Sequence, residues 1–195
     1  MAKAAKFDRQ NVVDKATNLY WKKGFHATSM RNLQDEIDMR PGSIYAAFGN
    51  KDGLFKETLR NYTDMAIGRL EECRVEYNSP IEALKAFVKI QVIDTQDDAP
   101  NGMCMLSKTI AELTEENQDL IDTTKELLGE ILIAFVKLIE EAQQLGEVNK
   151  AHAAQDIATH VQIQIAGLRT YGKINKDKNK LNSLIEEIFV HYPFK

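Results

Sequence analysis

Arg40-Pro41-Gly42-Ser43-Ile44-Tyr45-Ala46-Ala47-Phe48, running on into Gly49-Asn50-Lys51-Asp52-Gly53-Leu54, is the stretch that decides the fold. Proline at an early helical position starts a short helix, with Ile44 and Phe48 on one side and Gly42, Ser43 and Ala46 on the other. Upstream, Thr28 and Ser29 can cap another short helix, whose Met30, Leu33 and Ile37 point inward. Only three or four residues remain for the turn between them, which suits two helices crossing steeply. The pair reads as a helix-turn-helix. Small outward residues let the second helix sink into a DNA major groove, where Arg40 would meet a guanine edge or a phosphate. On these features alone, a packed three-helix corner with no ligand stays equally open.

Helical spacing continues on both sides. Val12, Ala16, Leu19 and Tyr20 share a face over residues 8–23, and Gly24 ends that helix. Asn50 caps a long helix to about residue 77, with Phe55, Leu59, Tyr62, Ala66 and Leu70 in phase. Further helical patterns begin near 80 (Leu84, Phe87, Val88, Gln91) and span 103–113, 117–145, 151–170 and 181–192. Residues 94–102 form a polar break, and the four prolines fall where a pattern starts or stops. Strand signals are nearly absent. The expectation is an all-α fold of about nine helices, a three-helix head followed by a bundle. The window 127–139, apolar on all sides, belongs at the buried centre of that bundle.

The chain has 195 residues, 44% hydrophobic and 28% charged, which argues against disorder. Its net charge of -4 is uneven: residues 1–60 carry 11 Lys+Arg against 7 Asp+Glu, and the rest 14 against 22. A basic head on an acidic body is the pattern of a chain that meets a polyanion at one end. Two cysteines exclude a disulfide scaffold, no apolar run approaches the ~20 residues of a membrane span, and MAKAAKFDRQ lacks the apolar segment of a secretory signal. A soluble, reduced, cytoplasmic protein without a membrane partner is expected. There is no Gly-x-Ser-x-Gly, His-Glu-x-x-His, phosphate-binding glycine loop or Cys-x-x-Cys, so no catalytic residue and no cofactor is expected. His26, His152, His160 and His191 are scattered, and Asp94, Asp97 and Asp98 lack the spacing of a calcium loop, so no metal is expected either.

Gly24-Phe25-His26-Ala27-Thr28-Ser29-Met30-Arg31, then Ile37, then Gly42 through Leu54 resemble the signature of TetR-family transcriptional regulators. The resemblance covers about residues 8–60, and the Arg-Pro opening of the recognition helix looks like that of one subgroup. Asp38 stands where the family often has a turn glycine, and among non-glycine residues Asp and Asn tolerate positive φ best. The resemblance implies a DNA-binding domain at 1–55 and a ligand-binding and dimerisation domain at 56–195. It implies phosphate contacts from Thr28, Ser29, Tyr45 and Lys51, with Arg40, Pro41, Gly42 and Ser43 facing the bases of double-stranded DNA. Trp21, Phe25 and Phe48 read as packing. One head reads too few base pairs alone, so a homodimer on a palindromic operator is expected. Its interface would lie on the apolar stripes of the last two helices: Ile157, Val161, Ile165 and Leu168, with Leu184, Ile185, Ile188 and Phe189.

A small-molecule effector of unknown identity would sit in an apolar pocket lined by Phe87, Met103, Cys104, Met105, Leu106, Phe135, Ile139 and Tyr171, each of which is also an ordinary core residue. Repression relieved by ligand, through a swing of the fourth helix, is the implied behaviour. Cys104 falls in the first turn of its expected helix with Lys108 four residues on, which suits a reactive thiolate. Sensing of electrophiles or oxidants through Cys104 is the alternative, and a helical enzyme with Cys104 as nucleophile a more remote one. Lys173, Lys176, Lys178 and Lys180 read as a solvated loop.

Overall fold

The computed structural model describes residues 7–94, 102–191 and 193–194. It contains helices α1 (Arg9–Lys23), α2 (Met30–Ile37), α3 (Pro41–Phe48), α4 (Lys51–Glu76), α5 (Pro80–Lys89), α6 (Met105–Glu112), α7 (Gln118–Gln144), α8 (Ala154–Ile174) and α9 (Lys178–Val190). No strand occurs among the described residues, and the expected all-α architecture is the one observed. α5 continues into a π-helical turn at Ile90–Asp94, and a 3₁₀ turn at Glu115–Asn117 leads into α7. Asp97, Asp98, Pro100, Asn101 and Tyr192 lie outside the described residues.

The helix starts follow from side-chain caps. Asp8 accepts from the amide of Asn11, Asn50 from Gly53 and Ser79 from Glu82, each meeting a helix-start amide that has no partner within the helix. Asp177 caps α9, so that helix begins before the apolar pattern does. Lys178 and Lys180 consequently sit in its first turn and Lys173 in the last turn of α8, leaving only Lys176 of the expected lysine loop in the connection. α6 begins at Met105, which makes Cys104 its N-cap residue and not a first-turn residue.

Two hydrophobic clusters divide the core. One joins α1, α2, α3 and the first half of α4 to Met105 and Leu106 of α6 and to Leu120 and Leu127 of α7. The other packs the end of α4 and α5 against the second half of α7, α8 and α9. α4 passes through both, so a displacement in one is felt in the other. The 127–139 window is not buried all round: Ile133 is 55% exposed while Leu127, Phe135 and Ile139 face inward.

α3 and α4 meet at close range. The Gly53 amide donates to Asn50 Oδ1 at 2.7 Å, and a Cβ at Gly53 would run into the backbone carbonyl of Phe48. Gly53→Ala is expected to cost about 1–3 kcal/mol through the shift it forces, read as a lower urea midpoint. An unchanged midpoint would show that α3 and α4 can part freely.

Candidate nucleic-acid interface and effector cavity

A reciprocal cap fixes α2: Ser29 Oγ accepts from the Asn32 amide and Asn32 Oδ1 accepts from the Ser29 amide, both at 3.1 Å. The turn then takes Asp38 through the left-handed region at φ 52°, as expected for the residue replacing a turn glycine. α3 follows, with Ile44 and Phe48 buried against the head. Phe7 packs near the Phe48 ring, and the Arg9 guanidinium lies 4.5 Å from its centroid. That anchoring sets the helix phase, and Arg40, Pro41, Gly42, Ser43, Tyr45 and Ala46 are all exposed on the other side. Tyr45, an aromatic residue, is left 49% exposed.

Two predicted contacts are placed differently. Thr28 is fully buried and its hydroxyl donates to the Gly24 carbonyl at 2.6 Å, so it closes the α1–α2 turn and has no outward face. Lys51 is half-buried: its ammonium donates to the Phe25 carbonyl at 2.6 Å and lies 4.2 Å from the Phe25 ring centroid. Burial pulls its pKa below the usual lysine range, partly offset by Asp52 and Glu112. Lys51 thus ties the α1–α2 turn to the start of α4, with two of its three N–H donors left for other partners.

α6 grips the same turn from the body. Lys108 Nζ donates to the carbonyls of Trp21 (3.2 Å) and Lys22 (3.1 Å) at the end of α1. Glu112 accepts from the amides of Phe25 (3.1 Å) and His26 (2.7 Å). Lys108 is therefore turned toward α1 and not toward Cys104.

Behind α6 lies a cavity of about 230 Å³ between α4, α5, α7 and α8. Phe87, Cys104 and Phe135 line it as expected. Met105 and Leu106 do not, because their face of α6 packs into the head cluster. Ile139 is sealed in the body core, Tyr171 is exposed with its hydroxyl accepting from Asn175, and Met103 contributes its carbonyl to Trp21 and Arg169. The remaining wall comes from residues the sequence reading missed, among them Tyr62, Gln91, Ser107, Leu128, Ile131, Gln162 and Arg169. The Tyr62 hydroxyl is pushed far above the usual phenol range, first by burial and then by the neighbouring Cys104 thiol, with Arg169 opposing. Cys73 is buried on α4, and burial pushes its thiol up as well.

Comparison with known proteins matches residues 12–58 to the family model of bacterial regulatory proteins of the TetR family, and residues 80–188 to the tetracyclin repressor-like C-terminal domain. The chain belongs to the TetR family. The HTH-type transcriptional repressor ComR of Escherichia coli (strain K12) is 31% identical over 121 residues, 61% of this chain and 57% of ComR. The repressor BdcR of the same strain is 39% identical over 57 residues, 29% of each chain. These matches thus span between 29% and 57% of the relatives' lengths. A mutant of the TetR-family regulator CifR complexed with 26 bp operator DNA superposes over 98% of this chain and 100% of that one, with a TM-score of 0.85 at 23% identity. A TetR-family regulator from Cytophaga hutchinsonii gives 0.78 at 20% identity, over 96% and 94% of the two chains. At these identities the structures speak for the fold.

In this TetR-family chain the eight residues named for a dimer interface are turned inward. Ile157, Val161, Ile165, Leu168, Ile185, Ile188 and Phe189 are buried in the body core of their own protomer, and Leu184 packs against it. The stripes are covered from within the protomer: α8 packs on α7 and on the Ile90–Asp94 turn, and α9 on α5 and α8. The apolar residues left outside on these helices are Ile163 (64% exposed), Tyr171, Ile174 (83%) and Val190. Among the described residues no group of His, Cys, Asp and Glu is placed to hold a metal, and no helix is long and apolar enough to cross a membrane.

Gly42 has no internal reason to be glycine: a Cβ there meets nothing within 4 Å. Gly42→Ala is therefore expected to raise stability by up to about 1 kcal/mol while weakening binding to a DNA duplex. A variant that is stabilised and still binds DNA at full strength would show that nothing approaches α3 closely at this residue.

Proposed function

We propose that this chain is a DNA-binding transcriptional repressor that acts as a homodimer on a palindromic operator and is released by a small-molecule effector. Residues 1–55 would form the reading domain and 56–195 the effector and dimerisation domain. The observation that carries this reading is the outward row of α3: Arg40, Pro41, Gly42, Ser43 and Tyr45 stand exposed while Ile44 and Phe48 hold the helix from behind. The CifR complexes with operator DNA and the repressors ComR and BdcR, members of the same family, support it. Arg40, Gly42 and Ser43 would face bases, with Pro41 beside them. Tyr45, Ser29 and the spare donors of Lys51 would meet phosphates. A phosphate reached by Lys51 would be bound by an ammonium already fixed in place, which limits the ordering cost.

An effector in the cavity between α4 and α8 shifts DNA affinity only by its preference between two arrangements of the heads, typically on the order of 1–3 kcal/mol, or about 5–150-fold. The reading is of a cytoplasmic regulator and not of an enzyme. Sensing through Cys104 is a second reading, favoured by the thiol's place in the cavity wall. A nucleophile there would need a base, and among the described residues lining the cavity there is no histidine or carboxylate.

For the dimer, the exposed face of α8 takes the place of the buried stripes. Ile163, Gly167, Thr170 and Ile174 follow one another at helical spacing, and on α9 Val190 stands on an exposed row with Ser183 and Glu187. Ile174→Asp is expected to give monomers in sedimentation at micromolar concentration and to abolish palindrome binding; a dimer that persists would move the interface elsewhere. Selection of genomic fragments bound by the protein would supply the operator. On that operator Arg40→Ala should relax the preference at one base step by roughly 1–3 kcal/mol, whereas an equal loss on every sequence would make Arg40 a phosphate contact.

A further inference from the structure

Among the described residues lining the effector cavity, Arg169 alone is charged. Arg169 is 3% exposed, and its side chain enters the wall from α8 in phase with the buried stripe. Nε donates to the Gly102 carbonyl (3.2 Å), Nη1 to the Tyr62 hydroxyl and to Gln91 Oε1 (both 3.0 Å), and Nη2 to the Met103 carbonyl (3.2 Å). All four acceptors are neutral. Among the described residues no carboxylate pairs with Arg169, and none lines the cavity. A guanidinium carries five N–H donors, so one on Nη2 is uncommitted. Charged side chains are rarely buried without a counter-ion, because the charge gives up its hydration and nothing of opposite sign replaces it. The rest of the wall is mainly apolar, with Phe87, Leu128, Ile131 and Phe135 prominent.

We infer that the effector is a small organic carboxylate, its anionic end paired with Arg169 and its hydrocarbon body seated on Phe87, Ile131 and Phe135. The inference rests on the reading of this cavity as the effector site. Size fits: an apolar cavity of about 150 Å³ accepts benzene, and about 230 Å³ leaves room for a ring with a carboxylate. A carboxylate matches the planar fork of the guanidinium and supplies the opposite charge that none of its described partners carries. The Gln91 carboxamide and the Tyr62 hydroxyl meet the guanidinium through side chains, and Gly102 and Met103 through backbone carbonyls.

The same guanidinium touches the head. The Met103 carbonyl that Arg169 holds also accepts from Trp21 Nε1 at 2.6 Å, and the guanidinium lies 5.7 Å from the Trp21 ring centroid. Trp21 belongs to α1 and is the only tryptophan in the chain. An anion that draws Arg169 toward itself loosens this shared carbonyl and changes the surroundings of Trp21.

The test is a titration of the full-length protein with benzoate, benzamide and toluene, followed by Trp21 fluorescence and by thermal stabilisation. Benzoate is expected to bind roughly tenfold or more tightly than benzamide, as a charge-assisted pair should, and Arg169→Gln to remove that preference. The comparison of acid and amide is made on the unaltered protein, so it stands even where the variant folds poorly. Benzamide or toluene binding as well as benzoate would overturn the carboxylate while leaving the cavity an effector site. No binding by any of the three would overturn the carboxylate and the cavity reading together.

Discussion

The end of α1 is a helix terminus that cannot satisfy itself, and the way it is satisfied holds the molecule together. Its last carbonyls need donors and the amides of the following turn need acceptors. α6 supplies both from within two turns of helix, Lys108 to the carbonyls of Trp21 and Lys22, and Glu112 to the amides of Phe25 and His26. Lys51 holds the Phe25 carbonyl from the α4 side. The turn that precedes the helix-turn-helix is thereby pinned by charged groups of two other elements. The apolar side chains beneath follow suit, since Met105, Leu106, Leu120 and Leu127 complete the core of the head.

This arrangement puts the cavity and the head within one set of contacts. α6 borders the cavity through Ser107 and buries Met105 and Leu106 against the head on its other face. α4 runs from Lys51 at the head to Tyr62 and Ala66 in the cavity wall. Movement imposed on the wall thus has two solid routes to α3. Neither route is a flexible linker; both are packed helices.

Where the sequence was legible, local rules carried the reading. Pro41, Asn50 and Gly24 mark helix ends by backbone geometry, and Ile44 with Phe48 fixes which side of α3 is inside, so the outward row was correctly placed. Asp38 took the left-handed turn for the same local reason. Periodicity failed where a partner had to be chosen. It shows that Ile157, Val161 and Ile165 are buried, but not whether within one protomer or between two, and it cannot say that Met105 and Leu106 turn to the head. Thr28 was misread because a threonine beside a cap residue looks the same whether its hydroxyl faces out or back to Gly24. Arg169 was missed although a signal existed: it stands eight residues after Val161 and four after Ile165, a charge in register with a buried stripe.

The clasp on α1 also bears on how such proteins are recombined. Cutting this chain after residue 55 and grafting its helix-turn-helix head onto another trunk would sever Lys108 and Glu112 from the turn they secure, and would strip Met105 and Leu106 from the transplanted core. A portable head would have to travel with matching residues at the α6 positions of its new host. Exchange of these modules between lineages is therefore constrained by a helix that lies outside the helix-turn-helix itself.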